Sequence, residues 1–272
     1  MGARNSSEML SLIEGMTVTE PRVFGNVAVS GLVDSDASPY RRMLSMDLAL
    51  DLGKLKVDET DNVPSLHFRT DEPILIRAGE AVLDGGKQDR VVRESMIVDG
   101  SKDVSVFCIE AGRWQHSKEQ WIHTDVPVSL RGLILKNADQ NQVWQHVAKM
   151  LNMWSVSSGT SALGELYRQL RGTFSMRAAK FGRWDNQVGM IVTVDERVRG
   201  VEIFGDVMSF GRDSVGILRD SYIPDAIQLR EGNMPMSVIR QSIDRLKLEL
   251  ERGDRIVEIV KHENELVYAS AI

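Results

Sequence analysis

The most informative part of the sequence is Glu80-Ala-Val-Leu-Asp-Gly-Gly-Lys-Gln-Asp-Arg90, together with a later segment, Cys108-Ile-Glu-Ala-Gly-Arg-Trp114. In the first segment two glycines stand between apolar runs, and a Lys, a Gln and two Arg follow closely. This is more polar chemistry than a surface turn requires. We therefore take the two segments together as the candidate site.

Length and composition limit the classes of protein to which the chain can belong. Its 272 residues are 42% hydrophobic, which is enough to build a core. The formal net charge is −6, whereas non-specific nucleic-acid binding needs a basic face. One cysteine excludes an internal disulfide, and we find neither an apolar run long enough for a bilayer nor a signal peptide. We expect a cytoplasmic protein without a membrane or bulk nucleic-acid partner.

The order of polar and apolar residues predicts an α+β fold whose front half is rich in strands. Between residues 54 and 114, short apolar runs alternate with turn residues, which is typical of a mostly antiparallel sheet. The runs are residues 55–57, 65–69, 74–77, 81–83, 91–92, 95–98 and 104–109. Asp84-Gly85 and Asp99-Gly100 favour hairpins, because the preferred two-residue turn needs positive φ. A short helix is predicted near residues 45–53.

The back half predicts more helix. Residues 141–154 and 162–170 place apolar side chains three and four apart, which is typical of amphipathic helices, here forming a helical hairpin. Residues 187–204 predict a β-hairpin with a helix after it, residues 235–252 a further helix, and residues 256–269 a closing hairpin. Residues 115–139 fit one or two strands.

The predicted domain organisation is simple. We expect residues 1–20 to be an N-terminal tail and residues 21–272 to be a single α+β domain, with a soft boundary near residue 140. The apolar stripe of the last predicted helix is compatible with a homo-oligomer.

Several motifs resemble a known family, the ARG and rhodanese-phosphatase-superfamily-associated domain. They are Ala78-Gly-Glu80, Gly85-Gly-Lys-Gln-Asp-Arg90 and Val106-Phe-Cys-Ile-Glu-Ala-Gly-Arg-Trp114, and the similarity covers residues 21–226. Asp89 stands where the family has Asn, which makes the site less basic. The resemblance implies a prokaryotic or phage source and a site at these motifs. It implies no reaction, because the family has no established activity.

Two interpretations of the diglycine segment stay open. Gly85 and Gly86 allow backbone N–H groups to converge on a ligand, and Lys87, Arg90 and Arg93 add positive charge for a phosphate or carboxylate. The alternative is a tight hairpin with solvated ends. The spacing is not that of a Walker nucleotide loop, because no Ser or Thr follows Lys87.

The second segment has the same ambiguity. Glu110, Arg113 and Trp114 follow a predicted strand, so they either line a pocket or form an ion pair packed under an indole. Glu80 is expected near Glu110, and two carboxylates at one pocket suit acid–base work or a divalent cation.

Other reactive side chains give weaker signals. Cys108 lies in an apolar run and is expected to be a buried, inert thiol. His116 and His123 flank Trp121, but their spacing matches no common zinc motif. We predict neither a metal site nor a cofactor.

The leading hypothesis is a binding protein without turnover for a small anionic molecule such as a nucleotide derivative, with catalytic residues left unassigned. Its ligand-binding residues are Glu80, Gly85, Gly86, Lys87, Gln88, Arg90, Glu110, Arg113 and Trp114. One alternative is a metal-assisted hydrolase that uses Glu80 and Glu110. Another is a structural or assembly module in which both segments only shape the fold.

Overall fold

A computed structural model describes residues 2–115, 120–226 and 232–272 of the chain. The helices are α1 (Gly2–Glu14), α2 (Met46–Asp51), α3 (Val128–Leu135), α4 (Gln140–Met153), α5 (Gly164–Ala178), α6 (Val207–Ile217) and α7 (Met236–Arg252). The strands are β1 (Thr17–Val18), β2 (Arg22–Phe24), β3 (Val27–Val33), β4 (Leu44–Ser45), β5 (Leu55–Glu59), β6 (Ser65–Thr70), β7 (Ile74–Ile76), β8 (Glu80–Leu83), β9 (Arg90–Val92), β10 (Met96–Val98), β11 (Ser101–Cys108), β12 (Ile122–Asp125), β13 (Gln187–Val194), β14 (Arg197–Phe204), β15 (Val257–His262) and β16 (Glu265–Ala271). The predicted α+β class is confirmed.

The chain divides into two compact units. Unit 1 comprises Met1–Arg42 and Ser175–Ile272, and unit 2 comprises Met43–Phe174. These divisions lie away from residue 140, where we expected a soft boundary. Compactness does not test whether a segment folds by itself, so the single domain over residues 21–272 stays a prediction. Within the described ranges, no helix has both the length and the apolar character to cross a membrane.

Unit 1 is built on a seven-stranded antiparallel sheet. Its order is β1-β3-β13-β14-β16-β15, with β2 paired to β3. Every residue of β13 is buried, as expected for a central strand covered on both faces. Both predicted hairpins are present, and each turns through two residues with positive φ, Asp195-Glu196 and Glu263-Asn264. Asp206 is the N-cap residue of helix α6, and its carboxylate accepts a hydrogen bond from the Ser209 N–H at 2.7 Å.

The first residues of the chain differ from the expected tail. Residues 2–14 form α1, which packs against α7 and β15. Met9 and Ile13, one helical turn apart, are fully buried in a cluster with Leu246 and Leu250. The small polar residues at the start suggested fraying, but burial of this stripe outweighs their low helix propensity.

Unit 2 contains two sheets. The six-stranded sheet has the order β12-β8-β9-β11-β6-β5 and is antiparallel throughout. The smaller sheet has the order β10-β7-β4, in which β4 and β7 run parallel. Both sheets contribute to one hydrophobic core, which includes Phe68, Ile74, Val92 and Val106. The strands predicted between residues 54 and 114 are present.

Residues 128–135 are a helix, α3, where the sequence predicted strand. Its buried residues are Val128, Leu130, Arg131 and Ile134, so one face of the helix is inside. A short apolar run fits either a strand or a helix by periodicity alone, which explains the error. The next helix, α4, was predicted within one residue at each end, and a reciprocal capping box between Asp139 and Gln142 begins it.

Candidate functional site

The structure brings the two predicted segments together within unit 2. Strands β8 and β9 are joined by residues 84–89, and β9 pairs with β11, placing Cys108 opposite Arg90. The chain that follows β11 therefore lies along the diglycine connection. The Gln88 side-chain amide donates to the Glu110 carbonyl at 2.8 Å, and the Asp89 N–H donates to the Glu110 carboxylate at 3.1 Å.

The diglycine is required by packing against an indole. Trp121 lies over Gly85 and Gly86, and a Cβ on Gly86 would come within 2.6 Å of both the Trp121 ring and the Glu59 carboxylate. Gly86 also has a φ of 57°, which favours glycine. Trp121 itself is held by a hydrogen bond from its Nε1 to the Val57 carbonyl at 3.0 Å.

Arg113 joins the two segments. Its Nε donates to the Glu110 carboxylate at 2.9 Å, and its terminal nitrogens donate to the Gly86 carbonyl at 2.9 Å and the Asp89 carboxylate at 3.2 Å. The Arg113 side chain is 22% exposed. The arrangement combines two carboxylates with a backbone carbonyl, which suits the planar fork of a guanidinium.

Arg90 faces inward. Its NH1 donates to the Gln88 side-chain oxygen at 2.8 Å and to the Cys108 sulfur at 2.7 Å, and its NH2 lies 3.7 Å from the Glu59 carboxylate. Arg90 is only 3% exposed. The prediction of a buried Cys108 is confirmed. Burial raises the pKa of its thiol, although Arg90 opposes that shift. Arg90 therefore stabilises the site from the protein interior and does not line an open surface.

Glu59, at the end of β5, was not predicted as a site residue. Its carboxylate accepts a hydrogen bond from the Lys87 N–H at 2.7 Å and lies 4.0 Å from the Lys87 ammonium. The Lys87 side chain is 46% exposed, so its ammonium stays accessible to water.

Asp89 is a buried carboxyl group beside Arg113 whose pKa is raised. Burial raises its pKa to about 6, the charges of Glu110 and Asp84 act in the same direction, and the Asp84 N–H and Arg113 oppose them. The Asp89 Oδ2 atom has no hydrogen-bond partner in the part of the chain that the structure describes. Gly164, the first residue of α5, lies against that oxygen, since a Cβ there would come within 2.9 Å of it.

Two further residues from distant parts of the sequence complete the network. The Thr160 hydroxyl donates to the second Glu110 oxygen at 2.7 Å. Arg168, on α5, forms ion pairs with Asp84 and, at 3.0 Å, with Glu165. No local motif marks Thr160, Gly164 or Arg168, because only the tertiary fold brings them to the two segments.

Glu80 belongs to a different network from Glu110. It accepts hydrogen bonds from the Arg77 N–H at 2.6 Å and the Arg77 guanidinium at 2.9 Å, and its carboxylate lies 3.1 Å from His123 Nε2. The other His123 nitrogen lies 3.4 Å from Asp47. Burial alone would lower the pKa of His123, but the bonds with Asp47 and Glu80 outweigh burial and raise that pKa to about 10. Glu80 and Glu110 thus have different hydrogen-bond partners among the described residues, and the hydrolase alternative stays a prediction.

Trp114 and the histidines complete the set of predicted residues. The Trp114 side chain is 56% exposed, so it does not close a buried pocket. His116 lies outside the described residues. Where the structure describes the chain, no group of three His, Cys, Asp or Glu side chains could hold a metal ion.

The comparisons with known proteins agree with the sequence motifs. A sequence profile of the ARG and Rhodanese-Phosphatase-superfamily-associated Protein domain matches residues 15–268. The chain belongs to this family. The match extends beyond residues 21–226, on which the resemblance rested, and includes α7, β15 and most of β16, whereas α1 lies before it. Neither a curated protein nor a solved structure matches the chain significantly. Family membership assigns no reaction, because the activity of the family is not established.

Proposed function

We propose that this family member binds a small anionic molecule, such as a nucleotide derivative, without turnover, at the surface formed by Lys87, Arg113 and Trp114. We call this surface the anion-binding rim. The residues that support the rim from inside are Gly85, Gly86, Gln88, Arg90 and Glu110. Glu80 lies in the separate network with Arg77 and is not part of the rim.

The exposed indole of Trp114, the residue that follows Arg113 in the chain, is the observation that carries the proposal. At 56% exposure, Trp114 leaves a flat aromatic face in water. An aromatic ring prefers offset stacking on a planar partner, so an exposed indole offers a face on which such a ligand can stack. Nucleobases are planar and stack on such side chains.

Arg113 retains hydrogen-bonding capacity for an anion. A guanidinium has five N–H donors, and within the described residues three hydrogen bonds to Glu110, Gly86 and Asp89 leave two. Those three bonds also fix the plane of the guanidinium. A phosphate that accepts the two remaining N–H groups would therefore bind with little loss of side-chain entropy.

Charge makes this binding depend on pH. The cations Lys87, Arg90 and Arg113 face the carboxylates of Glu59, Asp89 and Glu110, and Asp84, whose charge also acts on Asp89, pairs with Arg168. Protonation of Asp89, whose pKa is about 6, removes one negative charge beside Arg113. An anion whose own charge is constant over this range, such as sulfate, should therefore bind more tightly at pH 5 than at pH 7.5.

The test is calorimetric titration of the full chain with a panel of mononucleotides. We expect Trp114→Ala and Lys87→Gln each to weaken the tightest interaction by about tenfold or more, because each removes a stacking face or an ammonium. Tyr40→Ala and Lys102→Gln, also at exposed side chains, serve as matched controls and should bind as the wild type does. If no mononucleotide binds, or if site and control variants bind alike, the proposal is wrong.

The structural alternative is favoured by one observation, the three bonds by which Arg113 ties the two segments together. In that case Arg113→Ala lowers the free energy of unfolding by about 2 kcal/mol, while Trp114→Ala and Lys87→Gln change neither stability nor any binding. Chemical denaturation of the three variants separates this function from the binding function.

A further inference from the structure

Unit 2 contains a cavity that is separate from the anion-binding rim. Its volume is about 320 Å³, which lies within the range of small-molecule sites. It is formed where β9 ends, beside β11 and the carboxyl-terminal end of α3. The lining residues are Arg93, Glu94, Ser105, Ile134, Leu135 and Asn137.

This cavity and the rim network involve opposite faces of the same sheet. Arg93 lies opposite Ser105, since its N–H donates to the Ser105 carbonyl at 3.1 Å, and Arg90 lies opposite Cys108. Successive side chains of a strand point to opposite faces. Arg93, Ser105 and Phe107 therefore share one face, and Arg90 and Cys108 the other.

The guanidinium of Arg93 is held in place without a carboxylate. It stacks on the Phe107 ring at 4.3 Å from the centroid and donates to the Ser105 hydroxyl at 3.4 Å. Among the residues that the structure describes, Arg93 has no ion-pair partner, in contrast to Arg90 and Arg113. One bond out of five N–H donors leaves four. This partly buried cation is oriented but not neutralised.

The remaining lining has the opposite electrostatic character. Glu94 is exposed and adds a carboxylate, and the carboxyl-terminal end of α3 carries the negative end of a helix dipole. Ile134 and Leu135 add apolar surface. The cavity therefore offers one positive group, a negative region and an aliphatic wall.

We propose that this cavity binds a free amino acid or a similar small zwitterion. The ligand carboxylate pairs with Arg93 and accepts from the Ser105 hydroxyl. Its ammonium faces Glu94 and the end of α3, and an aliphatic side chain packs against Ile134 and Leu135. This proposal is independent of the anion-binding rim.

The experiment titrates the full chain with each of the twenty standard L-amino acids, and separately with acetate and ethylamine. We expect one-to-one binding of at least one amino acid, with acetate and ethylamine at least about tenfold weaker because each carries only half of the charges. Arg93→Gln should weaken the amino acid by about tenfold or more. Asn137 follows α3 and has a left-handed backbone with a φ of 58°, which glycine also adopts. Asn137→Gly removes an amide from the lining and should weaken binding less than Arg93→Gln does.

Matched controls keep the result specific. Arg69→Gln removes an exposed arginine from the neighbouring strand and should leave amino-acid binding unchanged, as should Lys87→Gln at the rim. Arg93→Lys retains the charge if Arg93→Gln fails to fold. The proposal is overturned if no amino acid binds, if acetate binds as tightly as the amino acids, or if Arg69→Gln or Lys87→Gln causes the same loss.

Discussion

Asp89 shows how a single side chain links stability to pH in this protein. The carboxyl is almost entirely buried, it is close to the charges of Glu110 and Asp84, and one of its oxygens is covered by Gly164. Arg113 compensates part of the cost of ionisation. Because burial outweighs that compensation, the native protein holds a proton on Asp89 at pH values where an unfolded chain has lost it.

The sign of the resulting pH dependence follows from the two pKa values. The pKa of Asp89 is about 6 in the native protein and 3.8 for an unperturbed aspartate, so native Asp89 favours folding below pH 3.8 and loses that contribution as the pH rises to 6. The difference between these pKa values, about 2.2, corresponds to about 3 kcal/mol. Asp89→Asn cannot titrate, so between pH 4 and pH 7 the wild type should lose most of this energy, about 2 kcal/mol, relative to the variant, because an unperturbed aspartate is already more than half ionised at pH 4.

Urea denaturation of both proteins at several pH values measures this difference. Asp99→Asn, at an exposed turn position, controls for the general effect of removing a carboxylate. A wild-type-minus-Asp89→Asn difference that stays flat, or rises with pH, would contradict the argument.

The residues of the candidate site were only partly predictable. The motifs identified the segments that contain Gln88, Arg90, Glu110 and Arg113, because glycines and charges cluster there. Glu59, Trp121 and Thr160 complete the network from other parts of the chain, and no spacing in the sequence marks them. The glycines were also explained incompletely, since the Trp121 ring lies where their side chains would be.

At the scale of elements, periodicity succeeded where an amphipathic pattern was long. Helices α4 and α7 have many apolar positions at helical spacing and were predicted nearly to the residue. Helix α3 was mistaken for strand because its eight residues are too few to distinguish the two periods. The expected tail rested on the small polar residues at the start of the chain, whereas the structure continues α1 through them to the buried Met9 and Ile13.

The buried stripe of α1 makes a measurable contribution. Met9→Ala should lower the free energy of unfolding by about 2–4 kcal/mol, because it removes a fully buried side chain and leaves a cavity between α1 and the unit 1 core. Ser7→Ala, on the exposed side of the same helix, should change it by less than about 0.5 kcal/mol. Chemical denaturation of both variants is the measurement, and equal effects would mean that α1 does not pack as described.

For the whole molecule, local patterns predicted the α+β class but not which distant strands pair. Strand β3 pairs with β13, which is far along the sequence. Unit 1 is therefore formed by two separate stretches of sequence, and the residues of unit 2 come between those stretches in sequence order. Nothing in the hydrophobic pattern of β3 identifies its partner, because any strand with a buried face offers the same backbone groups. The soft boundary near residue 140 stays a prediction.

Unit 2 is one continuous stretch of sequence, so its folding can be tested in a fragment. A fragment of residues 43–178, which retains all of α5, should fold alone, because it contains both sheets and the whole core around Phe68, Ile74 and Val106. We expect a cooperative urea transition and dispersed amide resonances. A fragment of residues 80–178 serves as the control: it lacks β4 to β7 and the core residues on them, so it should remain unfolded. If the longer fragment shows no cooperative transition, then unit 2 is compact only in the intact chain and is not an independent domain.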